Sequence, residues 1–169
     1  EIFIKAEEEL VSVTEMKIQE IGHWRKERIR NLINIQNEVF GSRIKRTLEN
    51  PDDAVIQKEM LDWLIRFEDI YGYDRICLHD LKGVERMRTS ESEVEMPHPL
   101  ESYYERIFEK GEIVFEDFYY DKIQDKIYLP LLAGMFDYKN NKSPLGTIVV
   151  RIDPEEYLYP LLNSWPIPR

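Results

Sequence analysis

The chain is short of the residues on which the commonest chemistries depend. Its single cysteine, Cys77, excludes an internal disulfide, so a packed core must hold the fold together, and 169 residues suffice for one. The seven glycines never fall in GxGxxG or GxxxxGKS/T spacing, so no phosphate-cradling loop is present. No apolar run approaches the ~20 residues that a membrane span needs. Cations are in deficit: 23 Lys and Arg face 33 Asp and Glu, a net charge of −10, which argues against a nucleic-acid partner. The basic runs Arg25-Lys26-Glu27-Arg28-Ile29-Arg30 and Arg43-Ile44-Lys45-Arg46 are interleaved at helical spacing and read as solvated helix faces.

What is present is a globular balance, 43% hydrophobic and 33% charged, which separates the chain from disordered sequences. Glu1 at the start and Trp165-Pro166-Ile167-Pro168-Arg169 at the finish are expected to be cuts through a longer protein.

Over residues 10–48 apolar side chains recur at helical spacing, among them Leu10, Val13, Ile18, Ile21, Trp24, Leu32, Phe40, Ile44 and Leu48, with no proline before Pro51. This predicts one long N-terminal helix, a stalk, ended by Asn50-Pro51. Asp52 or Asp53 is the expected cap of a second helix with a buried stripe of Ile56, Met60, Trp63, Leu64, Phe67 and Ile70, stopped by Gly72. The period then changes. Strands are predicted over residues 73–79 and 84–89, joined by the turn Asp80-Leu81-Lys82-Gly83. A polar loop (90–99), a short helix (100–110) and strands over 113–119, 127–136 and 145–152 follow. The last two strands run apolar on consecutive residues and should be buried on both faces. Asp153-Pro154 is the expected start of a final helix that buries Tyr157, Leu158, Leu161 and Leu162. The fold class is therefore α+β, a five-stranded antiparallel sheet with the long helix packed on one face. Residues 1–50 would form the stalk and packing helix, residues 51–169 the sheet domain.

Chemistry-bearing constellations are few. Cys77 and His79 share a strand face, but a core cysteine is the reading the pattern favours over a nucleophile. Glu20, His23 and Glu27 lie on one side of the long helix and have the donor types for zinc; Asp117, Asp121 and Asp125, with Asp137, form an oxygen cluster without a calcium loop's glycine and glutamate. Surface and turn solvation explain both sets, so no metal or other cofactor is expected. No carboxylate pair is singled out by spacing, and no enzymatic role is expected of this domain. Aromatic residues do concentrate: Phe118-Tyr119-Tyr120, Tyr128 and Tyr103-Tyr104 bracket the later strands. Their apolar bodies and polar tips suit either a small-molecule pocket or the rim of a core.

Four stretches in order carry a resemblance: Tyr71-Gly72-Tyr73-Asp74-Arg75-Ile76-Cys77-Leu78-His79-Asp80-Leu81-Lys82-Gly83, Gly111-Glu112-Ile113-Val114-Phe115-Glu116-Asp117, Ile127-Tyr128-Leu129-Pro130-Leu131, and Leu145-Gly146-Thr147-Ile148-Val149-Val150-Arg151-Ile152-Asp153-Pro154. Together they are similar to the Cache (extracytoplasmic PAS-like) sensor domains of bacterial and archaeal receptors. The ending Leu158-Tyr159-Pro160-Leu161-Leu162-Asn163-Ser164-Trp165-Pro166 resembles the branch found in sensor histidine kinases and diguanylate cyclases, where a second such lobe usually follows. Ser102-Tyr103-Tyr104-Glu105-Arg106 stands where amino-acid-binding members carry an Arg-Trp-Tyr signature, which this chain lacks.

The resemblance implies a small-molecule sensing domain held outside the cytoplasm by a membrane-anchored parent, foremost a sensor histidine kinase. The alternative is a dimerisation or docking module with the same fold and a filled core. The expected pocket lies between the sheet and residues 94–106. Tyr104, Tyr120 and Tyr128 would line it, Arg88 or Arg106 would pair an anionic group such as a carboxylate, and Asp137 would orient a polar one. A homodimer through the N-terminal helix completes the expectation, together with a sheet in spatial order 2-1-5-4-3.

Overall fold

A computed structural model describes residues 2–91 and 98–164. Part of the loop expected over 90–99, the start of the pocket segment at 94–97, and the final Trp165-Pro166-Ile167-Pro168-Arg169 lie outside the described residues. The chain divides into two compact units: helix α1 up to Asn31 with the segment from Pro154 onward, and Leu32–Asp153.

The long helix of the sequence reading is in fact two, α1 (Ile2–Ile33) and α2 (Glu38–Glu49). Between them the N–H of Ile35 bonds to the Leu32 carbonyl at 3.2 Å and that of Gln36 to Ile33 at 3.0 Å. Asn37 then restarts a helix by accepting the Phe40 N–H on its side-chain oxygen at 3.0 Å. Asn34, Gln36 and Asn37 carry amides that compete with the helical ladder, and Gln36 spends its Nε2 on the Gly134 carbonyl at 2.8 Å. The apolar spacing runs on across the turn, so periodicity alone could not reveal the break.

Helix α3 (Ala54–Tyr71) begins as expected: Asp53 accepts the N–H groups of Val55 and Ile56 at 3.0 and 3.1 Å. It ends at Gly72, whose φ of 68° is left-handed backbone that favours glycine. Ile56, Met60, Leu64 and Phe67 are buried. Trp63 is only half-buried, stacked on Phe67 and met at a tilt by Phe40. Ile70, expected in the stripe, is 73% exposed.

Six antiparallel strands follow: β1 (Arg75–Asp80), β2 (Glu85–Arg88), β3 (Val114–Phe115), β4 (Tyr119–Asp121), β5 (Lys126–Asp137) and β6 (Ser143–Ile152). Their order is β2-β1-β6-β5-β3, with β4 pairing β5 off that path. This is the expected 2-1-5-4-3 order with the third strand broken in two. The break has a local cause, because Glu116 accepts the Asp117 N–H on its own carboxylate at 2.9 Å and withdraws that donor from the ladder. β5 and β6 are central, and every residue from Tyr128 to Asp137 is buried, as the continuous apolar runs demand. Ile76, Leu78, Leu131, Ala133, Ile148 and Val150 are fully buried on the face that α2 and α3 cover.

On the opposite face lie residues 100–109. They form a 3-10 turn (Leu100–Tyr103) and a π-helical turn (Glu105–Glu109) instead of the predicted α-helix. The segment is pressed tightly down: a Cβ at Gly134 would stand 2.6 Å from Ile107, so only glycine admits it. Leu100, Tyr103 and Ile107 pack there with Val114, Leu132 and Val149.

In the other unit, the final helix α4 spans Leu158–Asn163, starting later than expected. Its N-cap position is Tyr157, which makes no side-chain cap, while the Asp153 carboxylate holds Lys126 at 2.8 Å; Pro154 sits in a turn, and its carbonyl accepts the Tyr159 N–H. Only Leu158 of the expected buried face is buried, whereas Tyr157 is 49% and Leu162 38% exposed. Lys17 of α1 binds this segment through the Leu161 carbonyl (3.0 Å) and Ser164 Oγ (2.5 Å), and Trp24 stacks on Tyr157.

Candidate functional site

Cross-strand register sets out the sheet face under residues 100–109 as successive rows. In one row Arg75 of β1 faces Arg151 of β6, which faces Pro130 of β5, and the Glu116 N–H bonds to the Pro130 carbonyl at 3.0 Å. Two residues along, the row is apolar: Cys77, Val149, Leu132 and Val114. The next row is polar again, with His79, Thr147 and Gly134.

The first row is chemically the most unusual place in the molecule. Arg75 is 1% exposed and Arg151 2%, side by side at one end of the β1–β6 ladder. Buried guanidinium groups persist only where carboxylates or other acceptors replace their water. Arg151 is held on its Nε and Nη2 edge by Asp74, at 2.6 Å from Nε. Its Nη1 lies 3.2 Å from the Asp121 carboxylate and 3.5 Å from the Tyr119 hydroxyl. The guanidinium carbon stands 3.8 Å over the Tyr128 ring, a stacked cation–π contact. Arg75 donates from Nη2 to Ser90 Oγ at 3.2 Å. Burial alone would lower the Arg151 pKa, but the Tyr119 hydroxyl and the Asp74 carboxylate outweigh it and raise it. Burial likewise pushes the phenols of Tyr119 and Tyr128 up, so both stay neutral hydrogen-bonding groups. At the acidic end of the row, Glu116 faces His98 Nδ1 at 3.3 Å and keeps its Oε2 buried without a protein partner.

Of the residues expected to form the pocket, Tyr128 touches this row through its ring on Arg151; it is 1% exposed and donates to Gln124 at 2.5 Å. The others are dispersed. Arg88 stands on edge strand β2, paired with Glu85 at 3.3 Å. Arg106 is exposed and pairs Glu112 at 2.8 Å. Tyr120 is 54% exposed and donates to Asp125. Tyr104 packs on Phe108, near the β1–β2 turn, with its hydroxyl buried and unpartnered. Asp137 ends β5 and binds Lys45 of α2 at 2.8 Å, a pairing that holds its carboxyl below the usual range. Asp121 pairs with Lys126 at the other end of that strand, roughly 30 Å or more away at the rise of an extended chain, so the two aspartates cannot share a cation. The aromatic concentration is likewise two clusters, Tyr119 with Tyr128 and Tyr104 with Phe108 and Phe136.

Among the described residues no group of three acidic, histidine or cysteine side chains converges as a metal site. Burial pushes the Cys77 thiol up to about 12, which leaves no thiolate for nucleophilic work at neutral pH.

The sequence reading missed Arg75 and Arg151. A signal was available: each is a cation set directly against an apolar run, Arg75 before Ile76-Cys77-Leu78 and Arg151 after Ile148-Val149-Val150, and followed at once by isoleucine. A cation that a sheet encloses has far fewer innocent explanations than an exposed one such as Arg106.

The fold is the PAS-like one seen in the sensory domains of chemoreceptors and of a histidine kinase, the Cache type. Three solved structures illustrate the likeness. The sensor domain of the Vibrio cholerae histidine kinase DctB aligns with a TM-score of 0.69 at 12% identity, over 94% of this chain and 58% of that one. The sensory domain of the Campylobacter jejuni chemoreceptor Tlp3 gives 0.68 at 10%, over 92% and 63%. The ligand-binding domain of the Pseudomonas aeruginosa amino-acid chemoreceptor PctC, in complex with GABA, gives 0.58 at 14%, over 90% and 66%. At these identities the likeness is one of fold, and the chain spans less than two thirds of each protein. No protein-family model matches the sequence, and no curated protein matches it.

Proposed function

We propose that this chain is the small-molecule-sensing part of an extracytoplasmic receptor domain, itself non-catalytic, in a membrane-anchored signalling protein, foremost a sensor histidine kinase. The observation that carries the reading is the pair of buried arginines, Arg75 and Arg151, adjacent on one sheet face of a fold used by ligand-binding sensors. A planar guanidinium donates two parallel bonds, so the ligand class this row suits is a small carboxylate, with Tyr119 and Tyr128 as its neutral walls. Bound ligands of the neighbours, GABA in PctC and isoleucine in Tlp3, are themselves small carboxylates. Association is part of the same reading: the exposed apolar residues of α1 are the proposed contact with a second copy in a parallel dimer.

Thermal denaturation in the presence of small carboxylates tests this. A cognate solute at a hundredfold excess over its dissociation constant stabilises the native state by about 2.7 kcal/mol, a melting shift of roughly 5–10 °C for a chain of this size. Arg106→Gln should leave that shift intact, because Arg106 is exposed and engaged with Glu112. No shift with any carboxylate would overturn the proposal. A second reading, a spacer with a filled core, has its own supporting observation: Leu100, Tyr103 and Ile107 fill the space between the middle of the sheet and residues 100–109. It predicts that no solute shifts the melting curve.

A further inference from the structure

If Arg151 receives a ligand's anionic group, something must first give way, because its guanidinium is already engaged. We infer that Asp121 is a built-in competitor for that group: it occupies the Nη1 edge of Arg151 and leaves when a carboxylate binds. This rests on the sensing role proposed above and adds how the site is regulated.

The two aspartates on Arg151 are not equivalent. Asp74 grips Nε and Nη2 together, and its backbone N–H bonds to the Arg151 carbonyl at 2.8 Å, so side chain and main chain lock it to the same residue. Asp121 makes one contact, at 3.2 Å to Nη1, from a three-residue strand that pairs only with β5. Its side chain is 10% exposed, so the contact stays out of bulk water while lying close to the surface. Exchange at the Nη1 edge replaces one carboxylate by another and leaves the buried cation paired throughout, which avoids the cost of an uncompensated charge. Exchange at the Asp74 edge would break two side-chain bonds and disturb the entrance to β1.

Asp121 also shapes its own loop. Its Oδ1 accepts the N–H groups of Ile123 and Gln124 at 2.9 and 3.1 Å, closing the turn between β4 and β5, while Oδ2 faces Arg151. One side chain therefore ties the turn to the binding row. When an incoming carboxylate takes Nη1, the tie is cut and the hairpin tip (Lys122 to Asp125) is released. Ile123 at that tip is 83% exposed, so no burial opposes its movement. Occupancy of the site thereby becomes a change in the position of a surface hairpin.

The test uses the whole chain with acetate as the minimal carboxylate and chloride at equal ionic strength as the control. Asp121→Asn keeps an oxygen for the two turn N–H groups and removes the charge that competes for Arg151. The expected result is that D121N binds acetate about tenfold more tightly than the wild type, roughly 1.4 kcal/mol. In the wild type, amide exchange over residues 121–125 should speed up as acetate saturates. That second measurement needs no variant and stands even where D121N folds poorly. Wild-type binding with no gain in D121N, or with unchanged exchange in the hairpin, would overturn the competitor role and leave the sensing proposal standing. No acetate or larger carboxylate binding to either protein would bring down both.

Discussion

Helix α1 and strand β5 are both rich in large apolar side chains, and they dispose of them in opposite ways. β5 buries every residue from Tyr128 to Asp137, and five residues of β1 and seven of β6 in the same sheet are buried as well. α1 leaves Phe3, Ile4, Leu10, Val11, Met16 and Ile18 between 46% and 90% exposed. Among the described residues of that helix as far as Asn31, only Lys17, Trp24 and Asn31 are buried. The sheet unit thus closes a core of its own, while the first half of α1 contributes little that this chain uses internally. The difference separates side chains that the fold encloses from side chains that it leaves in water, and it can be broken by substitution at matched positions.

The largest effect is expected in the sheet. Leu132 is completely buried between Val114 and Val149 and beneath Leu100, Tyr103 and Ile107. Leu132→Ala should cost about 2–5 kcal/mol, because the close packing around Gly134 leaves little room to collapse into the cavity. The matched change on α1, Leu10→Ala, should stay within about 0.5 kcal/mol. Urea midpoints of the two variants compare them directly, and equal losses would erase the distinction drawn here.

An intermediate effect belongs to the polar fastening of the smaller unit. Lys17 is 6% exposed and reaches Glu20 at 3.1 Å, the Leu161 carbonyl at 3.0 Å and Ser164 Oγ at 2.5 Å. Lys17→Met keeps the apolar stem and removes those donors, at a cost of about 1–3 kcal/mol. The loss should be local. Amide exchange should accelerate over Leu158–Asn163 while β5 and β6 keep their protection. Uniform acceleration through both units would show that they unfold as one.

These contrasts also mark how far the sequence can be read. Strand order, the central place of β5 and β6, the Asp53 cap and the Gly72 stop are local or periodic features, and local pattern reveals them. The break at Asn34–Asn37 escapes because the apolar spacing is continuous across it, so only the amide side chains betray the turn. The arginine row escapes for a different reason. Arg75 and Arg151 are far apart in the chain and meet only through β1–β6 pairing, a register no local window contains. Residue type alone points to Arg106 and Tyr120, which are exposed, whereas burial singles out Arg75 and Arg151.

A smaller, pH-dependent effect probes the one histidine embedded in the sheet. His79 is 8% exposed, with Nδ1 buried and unpartnered. Burial lowers its pKa from the ordinary 6.5, against the opposing pull of Glu85 and Asp80. The unfolded chain therefore takes up a proton near pH 6.5 that the folded chain refuses. Stability tied to the neutral ring is full above that pH and is lost as pH falls toward the lower folded value. His79→Gln removes the titration. The gap between wild type and variant, followed by urea denaturation, should shift against the wild type on going from neutral to mildly acidic pH. A gap independent of pH would mean the ring is as protonated when folded as when unfolded.

The smallest change in stability, and the sharpest test of what α1 is for, comes from its exposed face. Ile4, Val11 and Ile18 recur every seven residues and are 62%, 53% and 63% exposed, the repeat with which two helices interlock side by side. Ile18→Glu should leave the urea midpoint within about 0.5 kcal/mol of wild type, since the side chain is largely in water already. The same change places a like charge on both copies across the proposed seam. Sedimentation at increasing concentration should find the wild type moving toward a dimer and Ile18→Glu remaining monomeric. Glu9→Lys, exposed on the opposite side of the same helix, controls for charge alone and should not abolish association. A wild type that stays monomeric at high concentration would remove the dimer from the proposal and leave the apolar residues of α1 without an assigned partner, with the arginine row and its test untouched.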